Sequence, residues 1–70
     1  MENIEIREGE EYIKLGQALK KAGIAGSGVE AKDMISEGKV SVNDVVETRR
    51  GRKLYRNDVI EVNGQEYLCI

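Results

Sequence analysis

The chain has 70 residues, a net charge of -2, one cysteine and no histidine, and these numbers exclude several classes of protein. There is room for one small domain over residues 1–70, and catalysis is disfavoured because the commonest general base and any cysteine–histidine pair are missing. Cysteine–histidine metal frameworks, an internal disulfide and a membrane-spanning run are excluded too, so we expect a cytoplasmic, non-enzymatic protein with no metal and no cofactor.

The first half of the chain is predicted to hold one strand and two helices. Alternation over residues 3–7 indicates a short edge strand. Apolar residues at helical spacing from Tyr12 to Ala22 indicate an amphipathic helix, with Glu10 and Glu11 at its start and Gly23 at its end. A capping box at residues 27–30 begins a second helix of about ten residues, which ends near Gly38.

The second half is predicted to form a small antiparallel sheet. Val40 and Val42 alternate with polar residues, and the turn Asn43-Asp44 returns the chain through residues 45–46. Residues 58–62 and 65–70 read as two further strands joined by the hairpin signal at residues 63–64. The predicted fold class is therefore α+β, with the helix pair packed on one face of the sheet.

Charge is unevenly distributed along the chain. Residues 1–11 sum to -4 and residues 57–70 to -3, whereas residues 12–40 sum to +2 and residues 41–56 to +3. The basic middle is densest at residues 49–53, where four cations surround Gly51. Phosphate is the natural counter-charge for such a cluster. A solvated loop that only keeps a small protein soluble is the alternative interpretation.

The aromatic content bears on which nucleic acid the basic middle of the chain would bind. The chain has three tyrosines and no other aromatic residue, and Tyr12 is assigned to the apolar face of the first helix. Base stacking is therefore not expected to dominate. Lysines, arginines and the glycine-rich helix start at residues 25–28 suit recognition of structured RNA through phosphates and 2′-hydroxyls.

One longer pattern runs through residues 12–62. It consists of IKLGQAL at 13–19, SG at 27–28, MI at 34–35 and VSVN at 40–43, with Gly23, Ala31 and Gly38 between them. This pattern resembles the S4 RNA-binding domain, a helix pair followed by a strand and a turn. With ETRRGRKL at 47–54 and NDVI at 57–60 added, the chain is similar to short stand-alone bacterial S4-like proteins of the YaaA and YbcJ type.

The resemblance implies a basic surface that binds structured RNA, either ribosomal RNA or tRNA, with ribosome assembly and a ribosomal subunit as the expected setting. We expect the protein to be a monomer. Carried over by position, the RNA-binding residues are Lys14, Ser27, Gly28, Lys32, Lys39, Asn43, Arg49, Arg50, Arg52 and Lys53.

Two segments depart from the family pattern, at three positions in all. Typical S4 domains have Arg-Leu-Asp where this chain has Lys14-Leu15-Gly16, and Ser-Arg where it has Ser27-Gly28. The missing arginine removes a fork-shaped phosphate contact that neither lysine nor glycine reproduces, which would either weaken RNA binding or shift it toward residues 49–53. The alternative function is a protein-interaction module, whose basic face docks on an acidic protein or whose strand edge joins a partner's sheet.

Overall fold

Two helices and seven strands make up the computed structural model, which describes residues 1–70. The helices are α1 (Leu15–Lys21) and α2 (Gly28–Ser36). The strands are β1 (Glu2–Ile4), β2 (Tyr12–Lys14), β3 (Val40–Val42), β4 (Val45–Val46), β5 (Lys53–Tyr55), β6 (Val59–Val62) and β7 (Gln65–Cys69). The predicted α+β class is confirmed. Neither helix has the length and apolarity needed to cross a membrane.

Five of the strands form one sheet in the order β1-β7-β6-β3-β4. The predicted hairpins are present, and their turn residues Asn43, Asp44, Asn63 and Gly64 all have positive φ, as a two-residue hairpin turn requires. The antiparallel pairing predicted for the second half is confirmed for β3, β4, β6 and β7, and β1 adds a parallel pairing with β7 at one edge that the sequence did not predict. The predicted first strand at residues 3–7 is correspondingly shifted to Glu2–Ile4.

The predicted start of the first helix is also wrong. Residues 12–14 form β2, which pairs antiparallel with β5 in a separate two-stranded ribbon. The amides of Leu15 and Gly16 then donate to the carbonyls of Arg52 and Arg50, at 2.8 and 2.9 Å. Pairing with a distant strand overrides the helical spacing of the apolar residues, and Tyr12 leaves the helix altogether. No acidic residue occupies the first turn of α1, so the prediction that Glu10 and Glu11 lie at the start of this helix is wrong.

The other helix boundaries follow from local signals in the sequence. Gly23 has a φ of 75° and ends α1, with Lys20 and Lys21 in its last turn. At the start of α2, Ser27 Oγ accepts a hydrogen bond from the Glu30 amide at 3.1 Å. Glu30 Oε1 accepts a hydrogen bond from the amide of Gly26 at 3.0 Å, whereas the capping box predicts a bond from the amide of the cap residue Ser27. The capping interactions are thus reciprocal, and they fix where α2 begins.

One core joins the helices to the sheet. The strand register places Val40, Val42, Ile60, Val62 and Cys69 on the same face of the five-stranded sheet, and all of them are buried. Buried residues of both helices and of the two-stranded ribbon complete the same cluster: Leu15, Ala18, Leu19, Ala31, Ile35 and Leu54. The predicted packing of the helix pair on one sheet face is therefore observed.

The Ser27 cap can be tested by its effect on stability. Ser27→Ala removes the acceptor for the Glu30 amide and should lower the free energy of unfolding by about 1 kcal/mol. Ser27→Asn, which restores a side-chain acceptor, should stay close to wild type. Urea unfolding of the three proteins measures this, and equal stability in all three would contradict the cap.

Candidate functional site

An open depression of about 280 Å³ lies where the start of α1, the first turns of α2 and residues 50–51 meet. Its lining includes four positively charged side chains and no negatively charged one. We call it the cationic depression. Its lining residues are Lys14, Gly16, Gln17, Lys20, Gly28, Ala31, Lys32, Arg50 and Gly51.

The four cations of the depression have no partner inside the protein. Lys14, Lys20, Lys32 and Arg50 form no ion pair and no side-chain hydrogen bond. Six of the other seven basic side chains are engaged: Arg7 with Glu10, Lys39 with Glu37, Arg49 and Arg52 with Glu47, and Lys21 and Arg56 with backbone carbonyls. The seventh, Lys53, lies over the Tyr12 ring. Unpaired positive charge is thus concentrated in one concave place, which favours an anionic ligand there.

The loop that carries Arg50 is held by a buried carboxylate. Glu47 is only 7% exposed. Its two oxygens accept hydrogen bonds from the Arg49 amide at 3.1 Å, from the Arg49 guanidinium at 2.9 and 3.1 Å, and from Arg52 Nη1 at 2.9 Å. These bonds, those from the Arg49 side chain first, lower the pKa of Glu47 to about 2 although burial opposes the charge. Two cations of the predicted basic cluster therefore serve to order the loop.

The same loop closes the start of α1. Because the carbonyls of Arg50 and Arg52 accept from the first amides of α1, those amides are not available to a ligand. A Cβ added at Gly16 would make an ordinary van der Waals contact with the Arg50 carbonyl oxygen, at 3.5 Å, so the helix start lies directly against the loop. Arg50 lines the depression together with Lys14.

The start of α2 contributes backbone donors instead. Its first two amides, those of Gly28 and Val29, donate no hydrogen bond within the protein, whereas the Glu30 amide is bound to Ser27. Gly28 lines the depression, and a Cβ added there would meet nothing within 4 Å. Unpaired amides at the positive end of a helix are suited to an anion.

The predicted site residues do not form one cluster. Lys14, Gly28, Lys32 and Arg50 lie together in the depression. The rest have other contacts: Ser27 caps α2, Lys39 pairs with Glu37 at 3.1 Å, Asn43 binds Asp58 and the Val59 amide, Arg49 and Arg52 bind Glu47, and Lys53 lies over the Tyr12 ring. Sequence reasoning missed Lys20, although its spacing of four residues from Gly16 places it on the same helix face.

Cys69 is the one thiol in the chain, and it packs as an apolar residue. It is fully buried at the end of β7 and belongs to the core cluster. Burial raises the pKa of the thiol to about 11, so it stays protonated at neutral pH. Cys69 therefore acts as a small apolar core residue of the last strand.

The sequence profile of the S4 domain matches residues 4–70. The chain belongs to the S4 domain family. It is 54% identical over 54 residues to the probable ribosome maturation protein RlbA of Bacillus subtilis (strain 168). The matched segment covers 77% of this chain and 76% of RlbA. The solution structure of E. coli YbcJ, which is described as revealing an ALFAL motif involved in RNA binding, superposes with a TM-score of 0.72 at 28% identity. That comparison covers 100% of this chain and 87% of YbcJ.

The Glu47 carboxylate should make the stability of this S4 domain depend on pH. Its pKa is lowered from 4.5 to about 2, so its contribution is present above pH 4.5 and is lost as the pH falls toward 2. At neutral pH, Glu47→Gln should lower the free energy of unfolding by about 1–3 kcal/mol, because hydrogen bonds to a charged group are lost. The difference from wild type should shrink below pH 4.5.

Urea unfolding at a series of pH values measures this effect. Glu8→Gln is the control, because Glu8 is exposed and its side chain has no ion pair. A Glu47→Gln difference that does not change with pH, or one that Glu8→Gln reproduces, would contradict the role given to Glu47.

Proposed function

We propose that this S4 domain is a non-catalytic RNA-binding protein whose cationic depression holds the sugar–phosphate backbone of structured RNA. One observation carries the proposal: of the five basic side chains that form no ion pair and no hydrogen bond in the fold, four line the same depression, and no carboxylate lines it. Like charges held together in this way repel one another, and RNA phosphates would replace that repulsion with attraction and release counterions.

The lining of the depression favours backbone contacts over base contacts. It contains no aromatic side chain, and its polar groups are cations, one glutamine and the unpaired amides at the start of α2. Such groups donate hydrogen bonds to phosphate and 2′-hydroxyl oxygens, and these contacts recognise the shape of a folded RNA. Structured RNA is therefore the ligand that the depression suits best.

The similar proteins support a ribosomal setting. RlbA is named as a probable ribosome maturation protein, and YbcJ is described with a motif involved in RNA binding. We therefore infer that the bound RNA is ribosomal RNA and that the protein acts in ribosome maturation, in the cytoplasm with the ribosomal subunits. A tRNA ligand is the competing outcome among structured RNAs.

Two neighbouring arginines provide a matched test. Arg50 is unpaired and lines the depression, whereas Arg49 is bound to Glu47. Arg50→Gln should reduce the salt dependence of binding to a short blunt RNA hairpin, by about 0.7–0.9 in the log–log slope, and leave stability unchanged. Arg49→Gln should lower stability and leave the slope close to wild type. Fluorescence anisotropy at several salt concentrations and urea unfolding measure both, and the reverse pattern would contradict the assignment.

Crosslinking in cells, followed by sequencing of the bound RNA, identifies the natural ligand. The wild-type protein is compared with a variant in which Lys14, Lys20, Lys32 and Arg50 are replaced by glutamine. Enrichment of one ribosomal RNA region that disappears in the variant would support the proposal. Enrichment of tRNA would show that tRNA, and not ribosomal RNA, is the bound RNA. RNA at background level, with a protein retained after nuclease treatment, would overturn RNA binding.

Gly28 provides a gain-of-function test. Gly28 lines the depression, and a Cβ added there would meet no atom within 4 Å, so the position accepts a side chain. Gly28→Arg should tighten binding to the same hairpin and steepen the log–log slope by about 0.7–0.9, because one phosphate contact is added. Gly28→Gln, of intermediate length and without charge, is the control. Equal slopes for both variants and wild type would show that the start of α2 lies outside the RNA contact.

A specific feature favours the second candidate function, a protein-interaction module. The edge strand β4 exposes Val45 at 68% and Val46 at 56%, so a partner strand could add to the sheet there. The strand has only two residues and offers few backbone hydrogen bonds. RNA binding through the depression therefore remains our proposed function, and the nuclease-treated sample above tests the alternative.

A further inference from the structure

One face of the β2–β5 ribbon carries two tyrosines and two lysines. In the antiparallel register, Tyr12 lies opposite Tyr55 and Lys14 lies opposite Lys53. Side chains alternate along a strand, so the residues between them, Ile13 and Leu54, point the other way and join the core. We call the outer surface the tyrosine–lysine face.

The two rings on this face differ in their surroundings. Their centroids are 6.0 Å apart and the planes are tilted by 56°. Tyr12 is half-buried, and Lys53 Nζ lies 4.7 Å from its ring centroid in a cation–π contact. Tyr55 is 47% exposed, so the face holds an open aromatic ring on a support of fixed backbone. An exposed ring of this kind is a surface on which a planar base can stack.

Two lysines on this face lie directly opposite each other, and an anion between them would compensate their charges. Like charges directly opposite one another destabilise an antiparallel pair, and neither Lys14 nor Lys53 has an ion-pair partner. Glu10 and Glu11 line the surface beside Tyr12 together with Lys14, so a phosphate on this face is attracted where Lys14 and Lys53 lie opposite each other and not on the Glu10 side. A phosphate between the two lysines would relieve their repulsion.

The tyrosine–lysine face is continuous with the cationic depression. Lys14 and Gln17 line the depression and also line the surface next to Tyr12. A chain whose phosphates lie in the depression can therefore extend over Lys14 and reach Tyr55 without leaving the protein surface.

We propose that the tyrosine–lysine face binds an unpaired nucleotide that flanks the RNA helix held in the cationic depression. The base stacks on Tyr55, and its phosphate lies between Lys14 and Lys53. The inference rests on the proposed function and extends it, because it specifies a junction between paired and single-stranded RNA. It agrees with the expectation that base stacking does not dominate, but it removes one reason for that expectation, because Tyr12 lies in β2 and not in a helix.

The experiment compares a blunt RNA hairpin with the same hairpin carrying a short overhang that contains 2-aminopurine, tested at the 5′ and the 3′ end separately. One overhang should bind about 5- to 150-fold more tightly than the blunt hairpin, and its 2-aminopurine fluorescence should be quenched on binding. Tyr55→Leu should remove this gain and the quenching but keep the blunt-hairpin affinity. Tyr55→Phe, which keeps the ring, should retain both, and urea unfolding checks that each variant is folded.

The outcomes separate this inference from the proposed function. If the blunt hairpin binds in an Arg50-dependent way but neither overhang adds affinity, the stacking site is wrong and the proposed function stands. A gain that Tyr55→Leu preserves also overturns the stacking site. If no hairpin binds, with or without an overhang, both proposals fail.

Discussion

The buried carboxylate of Glu47 is the interaction on which the candidate site depends. It binds Arg49 and Arg52, so a segment with four cations in five residues folds into one shape instead of being spread by its own repulsion. In that shape the carbonyls of the loop accept hydrogen bonds from the first amides of α1. These bonds take the place of a side-chain cap, which the N-cap residue Lys14 does not supply. A single carboxylate thereby orders the loop, completes the helix start and leaves Arg50 free to face the depression.

The distribution of charge in the fold reconciles a net charge of -2 with an anionic ligand. The two acidic ends of the chain meet at one edge of the large sheet, where β1 pairs with β7. Most of the remaining basic side chains are bound to carboxylates or carbonyls, so their charge is compensated locally. The charges of the four cations in the depression are not compensated within the protein. The local field at the depression, not the sum over the chain, decides what approaches it.

Features with a local cause could be predicted from the sequence, and features with a distant cause could not. The Ser27 cap, the Gly23 helix end and the Asn63-Gly64 turn depend on neighbouring residues and were correct. The β2–β5 pairing joins residues about 40 positions apart that no single hairpin turn connects, so helical spacing misassigned residues 12–14. The basic cluster was visible in the sequence, but which arginine is unpaired depends on how Glu47 folds against the loop.

The two departures from the family pattern act together. Gly16 and Gly28 both line the depression, where typical S4 domains carry an aspartate and an arginine. A Cβ at position 16 would lie 3.6 Å from the Arg50 Cβ, so an aspartate there would bring a carboxylate against Arg50 and engage it. With glycine at both positions, the arginine of α2 is lost but Arg50 stays unpaired. The forked cation at the depression is therefore supplied by the loop, at Arg50, and the bonds from Glu47 to Arg49 and Arg52 fix the loop that carries it.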